Sequence, residues 1–333
     1  MSLLFDNADP IDSPMLVPSG RRDGRRRRDA AGRDAAIEIG LVNNMGDAAL
    51  RATERQFARL LEAGAGDRPV RLHCFALPSV QRSPAARHRI DSLYAGISEL
   101  RTIRLDGLIV TGAEPRAATL REEPYWDEMR ALVDWAEANT TSTIWSCLAA
   151  HAAVLHLDGI ERERLPKKCS GIYAGERLQD DPLLIDLPAQ MQVPHSRLND
   201  LPADRLAASG YEVLTQARDA GVDVFMRRGR SRFVFFQGHP EYDIGSLQRE
   251  YLRDIGRFLT GERESYPEIP VDYFDAATEA ALGAFGAQAE AEPEPALISR
   301  LPQLALRAGV ADAIEATATT LFRNWLDSLA GRS

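Results

Sequence analysis

Lysine is almost absent from this 333-residue chain: of 40 basic residues only Lys167 and Lys168 are lysines, and arginine supplies the rest. Cysteine is scarce too, with Cys74, Cys147 and Cys169 forming the full set. Three thiols are too few and too odd in number for a disulfide framework, so a reducing cytoplasm is expected, where a free thiol can be chemistry. No run of about 20 apolar residues occurs, which argues against an integral membrane protein. The six histidines and three cysteines show no paired metal-ligand spacing, and no Walker or dinucleotide-type glycine loop is present. No metal and no bound cofactor are expected on those grounds. Internal repeats are missing as well. The 40 basic residues stand against 49 acidic ones, a net charge of −9, so the body of the chain repels nucleic acid.

What is there has the proportions of a globular protein, 44% hydrophobic and 27% charged. The length suits two domains, or one large α/β domain with additions. Residues 1–35 combine Pro10, Pro14, Pro18 and Gly20 with a cluster from Arg21 to Arg28 and lack an apolar period, the composition of a disordered arm. The charges follow Met15-Leu16-Val17, the reverse of a secretory signal, so no export is expected. The arginine cluster reads as a solvated tail more readily than as a polyanion contact.

From Ile37 onward, short apolar runs alternate with helical spacing. Strands are expected at Ile37 to Val42, Val70 to Leu77, Gly107 to Thr111 and Ser142 to Trp145, with helices after Gly46, up to Leu93, from Pro124 to Ala138 and after Cys147. This alternation predicts an α/β fold, a doubly wound, mostly parallel sheet with helices on both faces. After Gly159 the pattern breaks into short segments. Val222 to Met226 and Arg232 to Gln237 read as consecutive strands turning at Arg228-Gly229-Arg230, followed by a helix from Ile244 to Leu259. Residues 36–274 form the expected catalytic domain, 275–310 a variable linker rich in Ala, Glu and Pro, and 311–333 a C-terminal helix.

Cys147 lies where an apolar strand meets a small-residue helix, the context of a nucleophile elbow. A thiol there feels the positive end of the helix dipole, and the backbone N–H of Leu148 points where an oxyanion would form. The same place also suits an inert buried thiol. His239-Pro240-Glu241 follows the apolar run Phe233 to Phe236. Residues two apart on extended chain share a side, so Glu241 can orient one imidazole nitrogen while the other faces a nucleophile. Sites in parallel sheets gather at strand carboxyl ends, so Cys147 and His239 support each other. His151, four residues after Cys147, is expected in packing, Cys74 in a core strand and Cys169 as a structural thiol. Lys167 and Lys168 stand out because a chain otherwise built on arginine keeps lysine at one place, where a compact ammonium could face a carbonyl or carboxylate.

Several dispersed clusters then resemble one family. They are Thr53-Glu54-Arg55-Gln56-Phe57, Asp106 to Ala113, Tyr125-Trp126, Thr141-Ser142-Thr143 leading to Cys147, and Lys168 to Tyr173. Pro194-His195-Ser196-Arg197, Gly238 to Asp243, Glu250 to Asp254 and Leu321 to Leu326 complete the set. Together they resemble the homoserine O-acyltransferases of the homoserine trans-succinylase type, related in fold to class I glutamine amidotransferases and hence flavodoxin-like. The resemblance implies a cytoplasmic acyltransferase of methionine and sulfur amino-acid biosynthesis, a homodimer with small-molecule substrates. Cys147 would take an acyl group from acyl-CoA as co-substrate, His239 held by Glu241 would serve as base, and the product would be O-acyl-L-homoserine. Lys168 matches a lysine near the acyl group, Ser196 and Arg253 match acceptor-binding positions, and Leu148 N–H with the Thr111 to Arg116 loop would form the oxyanion hole.

Three departures bear on specificity. Met45-Gly46-Asp47 replaces a Met-Pro turn. Arg116 occupies a loop position that is Gly in succinyl-specific members and Glu in acetyl-specific ones, and a cation there suits the free carboxylate of succinyl-CoA. The segment 275–317 lacks the usual polar and aromatic sequence, which keeps L-serine beside L-homoserine as acceptor, and acetyl-CoA remains the other donor. A glutamine amidotransferase-type hydrolase is a weaker reading, because Ser146-Cys147-Leu148 lacks a glycine-flanked elbow. A non-catalytic binding protein contacting polyanions through the arginine arm is the third.

Overall fold

A computed structural model of the chain describes residues 36–188 and 190–331, so the arm expected over 1–35 lies outside the described residues. In the first half every expected strand and helix forms. They are β1 (Ile37–Val42), α1 (Asp47–Ala65), β2 (Val70–Phe75), α2 (Pro84–Leu93), β3 (Gly107–Thr111), α3 (Trp126–Asn139), β4 (Ser142–Ser146) and α4 (Leu148–Asp158). Next come β5 (Glu163–Arg177), β6 (Gln190–Asp200), α5 (Ala203–Ala208), β7 (Glu212–Val213), β8 (Thr215–Ala217) and β9 (Gly221–Val222). The chain continues through β10 (Val224–Arg228), β11 (Arg232–Phe236), α6 (Ser246–Leu259), α7 (Ala276–Ala291) and α8 (Val310–Leu329). Among the described residues no helix is long and apolar enough to cross a membrane.

The main sheet has the order β2-β1-β3-β4-β11-β10-β7. Its first five strands are mutually parallel, β10 runs antiparallel to β11, and β7 runs antiparallel to β10. Counted along the chain, the parallel strands follow the 2-1-3-4-5 order of flavodoxin-like sheets. β3 and β4 are buried at every residue, as central strands covered on both faces must be. Alternation divides the core. Trp145, Phe233 and Phe235 pack with α3 and α4 on one face, while Ile144, Val234 and Phe236 pack with α1 and α8 on the other.

The last helix belongs to that second core, which explains why the resemblance returns so far from the catalytic clusters. Trp325 is fully buried, and its indole Nε1 donates to Ser142 Oγ at 3.0 Å. Gly107 makes room for it, since a Cβ there would lie 2.8 Å from the Trp325 ring. Trp325→Ala should lower the unfolding free energy by roughly 3–5 kcal/mol, read from the midpoint of chemical denaturation.

Two stretches differ from the sequence expectation. The irregular region after Gly159 builds a second, antiparallel sheet of order β6-β5-β8-β9. Its long strand β5 shows no clean alternation because a bulge between Arg164 and Cys169 shifts the register. The segment 275–310 is not a linker over its length. It holds α7, capped by Asp275 accepting from Thr278 N at 2.7 Å, and a 3-10 turn at Pro295–Arg300. Alanine-rich sequence has high helix propensity, and two large residues, Leu282 and Phe285, anchor it beside Tyr251 and Ile255 of α6.

Candidate active site

β4 and β11 run parallel with Ser146 opposite Phe236, so the residues just past them leave the sheet at the same edge. Cys147 is the first of these. Its N–H donates to Phe236 O at 2.7 Å, and its backbone is held at φ +50° and ψ −110°. A non-glycine residue in that region is strained, and the strain is confined to the sharp turn that lifts the thiol above the sheet. α4 starts at the next residue, so Leu148 N–H is among the donors that no helix carbonyl takes. Gly112, just past β3, lies against this turn. A Cβ at Gly112 would overlap Leu148 Cβ and come 3.1 Å from Leu148 Cα. Gly112→Ala should therefore displace the elbow, costing about 1–3 kcal/mol in stability together with activity, checked by melting and turnover on one preparation.

His239 reaches the same place from β11. Its N–H donates to Pro194 O at 2.7 Å, which ties the turn after β11 to β6. The imidazole Nδ1 meets Glu241 Oε1 at 2.8 Å, and Cys147 lies within electrostatic reach of the ring, with Nε2 the nitrogen left for sulfur. Both His239 and Glu241 are buried. Burial opposes the imidazolium, but the Cys147 thiolate and the Glu241 carboxylate outweigh it and hold the histidine well above its ordinary value. Glu241 Oε1 also accepts from Ser146 Oγ at 3.4 Å. The Tyr242 ring stacks on His239 with centroids 4.2 Å apart, fixing the plane of the imidazole.

His151 is elsewhere, bonded through Nε2 to Gln237 Oε1 at 3.0 Å. Burial pushes it down to about 3, so it stays neutral, in line with packing rather than catalysis. Cys74 is buried in β2 and burial raises its thiol; burial raises Cys169 too.

Beyond Tyr242, Lys168, Ser196 and Arg253 converge on a carboxylate pair. Glu250 accepts from Tyr242 Oη at 2.6 Å and from Ser196 Oγ. Lys168 Nζ lies 3.5 Å from Glu250 and 3.1 Å from Asp254. Arg253 Nη2 donates to Asp254 Oδ1 at 2.9 Å, and Arg263 reaches Asp254 Oδ2 at 3.2 Å. Burial alone would raise both acids, but the facing Lys168 leads a set of partners that holds each below its ordinary range. Glu250 and Asp254 carried no role in the sequence reading, although Glu250, Arg253 and Asp254 share one face of α6 by their i, i+3 and i+4 spacing. That spacing was the available signal. The two lysines separate: Lys167 is exposed and pairs with Glu268 at 2.6 Å, while Lys168 joins the site.

Arg116 sits apart from this group. Its N–H donates to Glu123 Oε1 at 2.7 Å and its guanidinium bonds Gln81 on the exposed rim of a cleft of about 360 Å³.

Fold and site together define a class, α/β proteins with a thiol, an imidazole and a carboxylate at the carboxyl ends of adjacent parallel strands, an arrangement suited to nucleophilic acyl chemistry. A family profile described as homoserine O-succinyltransferase matches residues 25–331. The chain is 74% identical over 330 residues to the homoserine O-succinyltransferase of Rhodopseudomonas palustris, covering 99% of both chains. It is 53% identical over 331 residues to that of Bradyrhizobium japonicum, again with 99% of both covered. The chain belongs to the homoserine O-succinyltransferase family and is an acyltransferase. Among solved structures, a glutamine amidotransferase from Thermotoga maritima is similar at a TM-score of 0.49 and 13% identity, over 89% of this chain and 99% of that one.

Proposed function

We propose that this enzyme moves the succinyl group of succinyl-CoA to the hydroxyl of L-homoserine, by a ping-pong route through Cys147, in sulfur amino-acid biosynthesis. The observation that carries the reading is the His239 imidazole, held by Glu241 at 2.8 Å and electrostatically coupled to Cys147 at the same edge of the sheet. The Cys147 thiolate attacks the thioester carbonyl, and the oxyanion is met by Leu148 N–H and the backbone of the Thr111 to Arg116 loop. The departing CoA thiolate takes a proton from the His239 imidazolium, leaving succinyl-Cys147 and neutral His239. One thioester has replaced another, so the acyl group stays activated.

Acylation also changes the base. The thiolate that helped to raise His239 is now a neutral thioester, so the imidazole is a weaker base than before and releases its proton more readily. It takes the proton of the acceptor hydroxyl as that oxygen attacks the acyl carbon, and Cys147 leaves as thiolate. A zwitterionic acceptor suits the charges nearby: Arg253 for the α-carboxylate, Glu250 for the ammonium, with Ser196 and Lys168 keeping Glu250 in place. The test is intact-protein mass after mixing with succinyl-CoA and no acceptor. One succinyl increment, discharged by L-homoserine, supports the route; an unlabelled protein that still turns over in the full assay would refute the covalent step.

A further inference from the structure

The donor's free carboxylate still lacks a buried counter-charge. Arg116 is engaged with Gln81 on the exposed side of the cleft. The cleft runs along the carboxyl ends of β1 and β3, with Ala113, Glu123 and Tyr125 in its wall. Ala113 directly follows Gly112, the residue packed on the Cys147 elbow, so one wall of the cleft continues into the segment that holds the elbow.

Two buried donors, one in this wall and one beside it, are unsatisfied. Tyr125 Oη and Arg162 Nη1 are both shielded from solvent and have no hydrogen-bond partner among the described residues. Arg162 lies in the short connection between α4 and β5, outside the cleft's lining; the adjacent Glu161 pairs with Arg121 at 3.5 Å, which sets this connection beside the segment that carries Tyr125, and the Arg162 charge is within electrostatic reach of Tyr125, Glu123 and Cys147. Glu123 lies close, yet its Oε1 is taken by the N–H groups of Arg116 and Ala117 at 2.7 and 2.9 Å. Buried donors left unpaired are costly, and a ligand that brings acceptors recovers that cost. A carboxylate is the fitting ligand, since it accepts at two oxygens and neutralises a guanidinium.

We propose that Arg162 and Tyr125 form the subsite for the distal carboxylate of the acyl donor, making this end of the cleft a reader of dicarboxylic acyl thioesters. The inference rests on Cys147 as the acylated atom. Succinyl ends in the required anion at the far end of its chain; butyryl has the same carbon count without it.

The experiment measures single-turnover acylation of the full chain by succinyl-CoA and by butyryl-CoA, read as the ratio of the two rates. Labelling of the unsubstituted protein is scored first, because failure there overturns the acyl-enzyme reading rather than the subsite. Arg162→Gln should then lower the succinyl-to-butyryl ratio by about 100-fold, and Tyr125→Phe by about 10-fold, the range expected for losing a charged and a neutral partner. Equal slowing of both donors by Arg162→Gln would mean a general effect on the thiol and would overturn the subsite. So would a ratio that collapses in Arg116→Gln and holds in Arg162→Gln. The tyrosine variant removes one oxygen only, which keeps the test decisive if the arginine variant folds poorly.

Discussion

Cys147→Ala should abolish the succinyl adduct and reduce turnover by roughly 10⁴-fold or more, since removing the nucleophile of a covalent triad leaves only binding and oxyanion stabilisation. The residual rate measures those two contributions, because Leu148 N–H and the loop after β3 are untouched by the substitution. Folding should survive. Alanine keeps the Cβ and therefore the strained φ of +50°, and the bond from the Cys147 N–H to Phe236 O is a backbone bond. Cys147→Gly provides the complement: glycine adopts positive φ freely, so it should melt above the alanine variant while being equally inactive. Intact mass, turnover and melting on the two variants check all of this. Activity retained in either one would remove Cys147 from the mechanism.

Glu241→Gln should lower turnover by about 10²–10⁴-fold, the range for replacing a triad carboxylate by its amide. Two effects combine. The amide no longer fixes the tautomer of His239, and it no longer stabilises the imidazolium. The sign of the pH effect follows from the opposing influences on His239. Burial lowers its pKa, and the Cys147 thiolate and the Glu241 carboxylate raise it to a net value well above ordinary. Removing one of the two raising charges lets burial count for more, so the pKa falls. The upper limb of the acylation profile, where the imidazolium is lost, should move to lower pH. The lower limb of acyl transfer to the acceptor, where the neutral base appears, should move the same way. Single-turnover rates across pH for each half-reaction separate the two, and a shift to higher pH would contradict the assignment of Glu241 as the charge that supports His239.

Much of the site was legible along the chain because its parts are local. An elbow needs a strand, one strained residue and a helix start, and Thr141 to Ala150 contains all three. The His-Pro-Glu unit needs two residues on one side of an extended segment. Glu250, Arg253 and Asp254 also obey a local rule, helical spacing, yet their use depends on Lys168 and Ser196, which arrive from β5 and β6. No window of sequence contains that meeting.

By itself, then, the amino-acid sequence determined the alternation of buried strands and helices and the thiol, imidazole and carboxylate at the strand ends. Those features follow from side-chain period and turn chemistry, which act over a few residues. Only the tertiary structure decided that β5 and β6 form a second sheet, that 275–310 carries a packed helix, and that Lys168 joins Glu250 and Asp254 while Lys167 faces solvent. Only it set the unpaired donors of Arg162 and Tyr125, 37 positions apart in the chain, on neighbouring segments. The reason is physical: strand pairing, burial and the pairing of charges are settled between distant segments, by which surfaces exclude water together, and no local pattern records that choice.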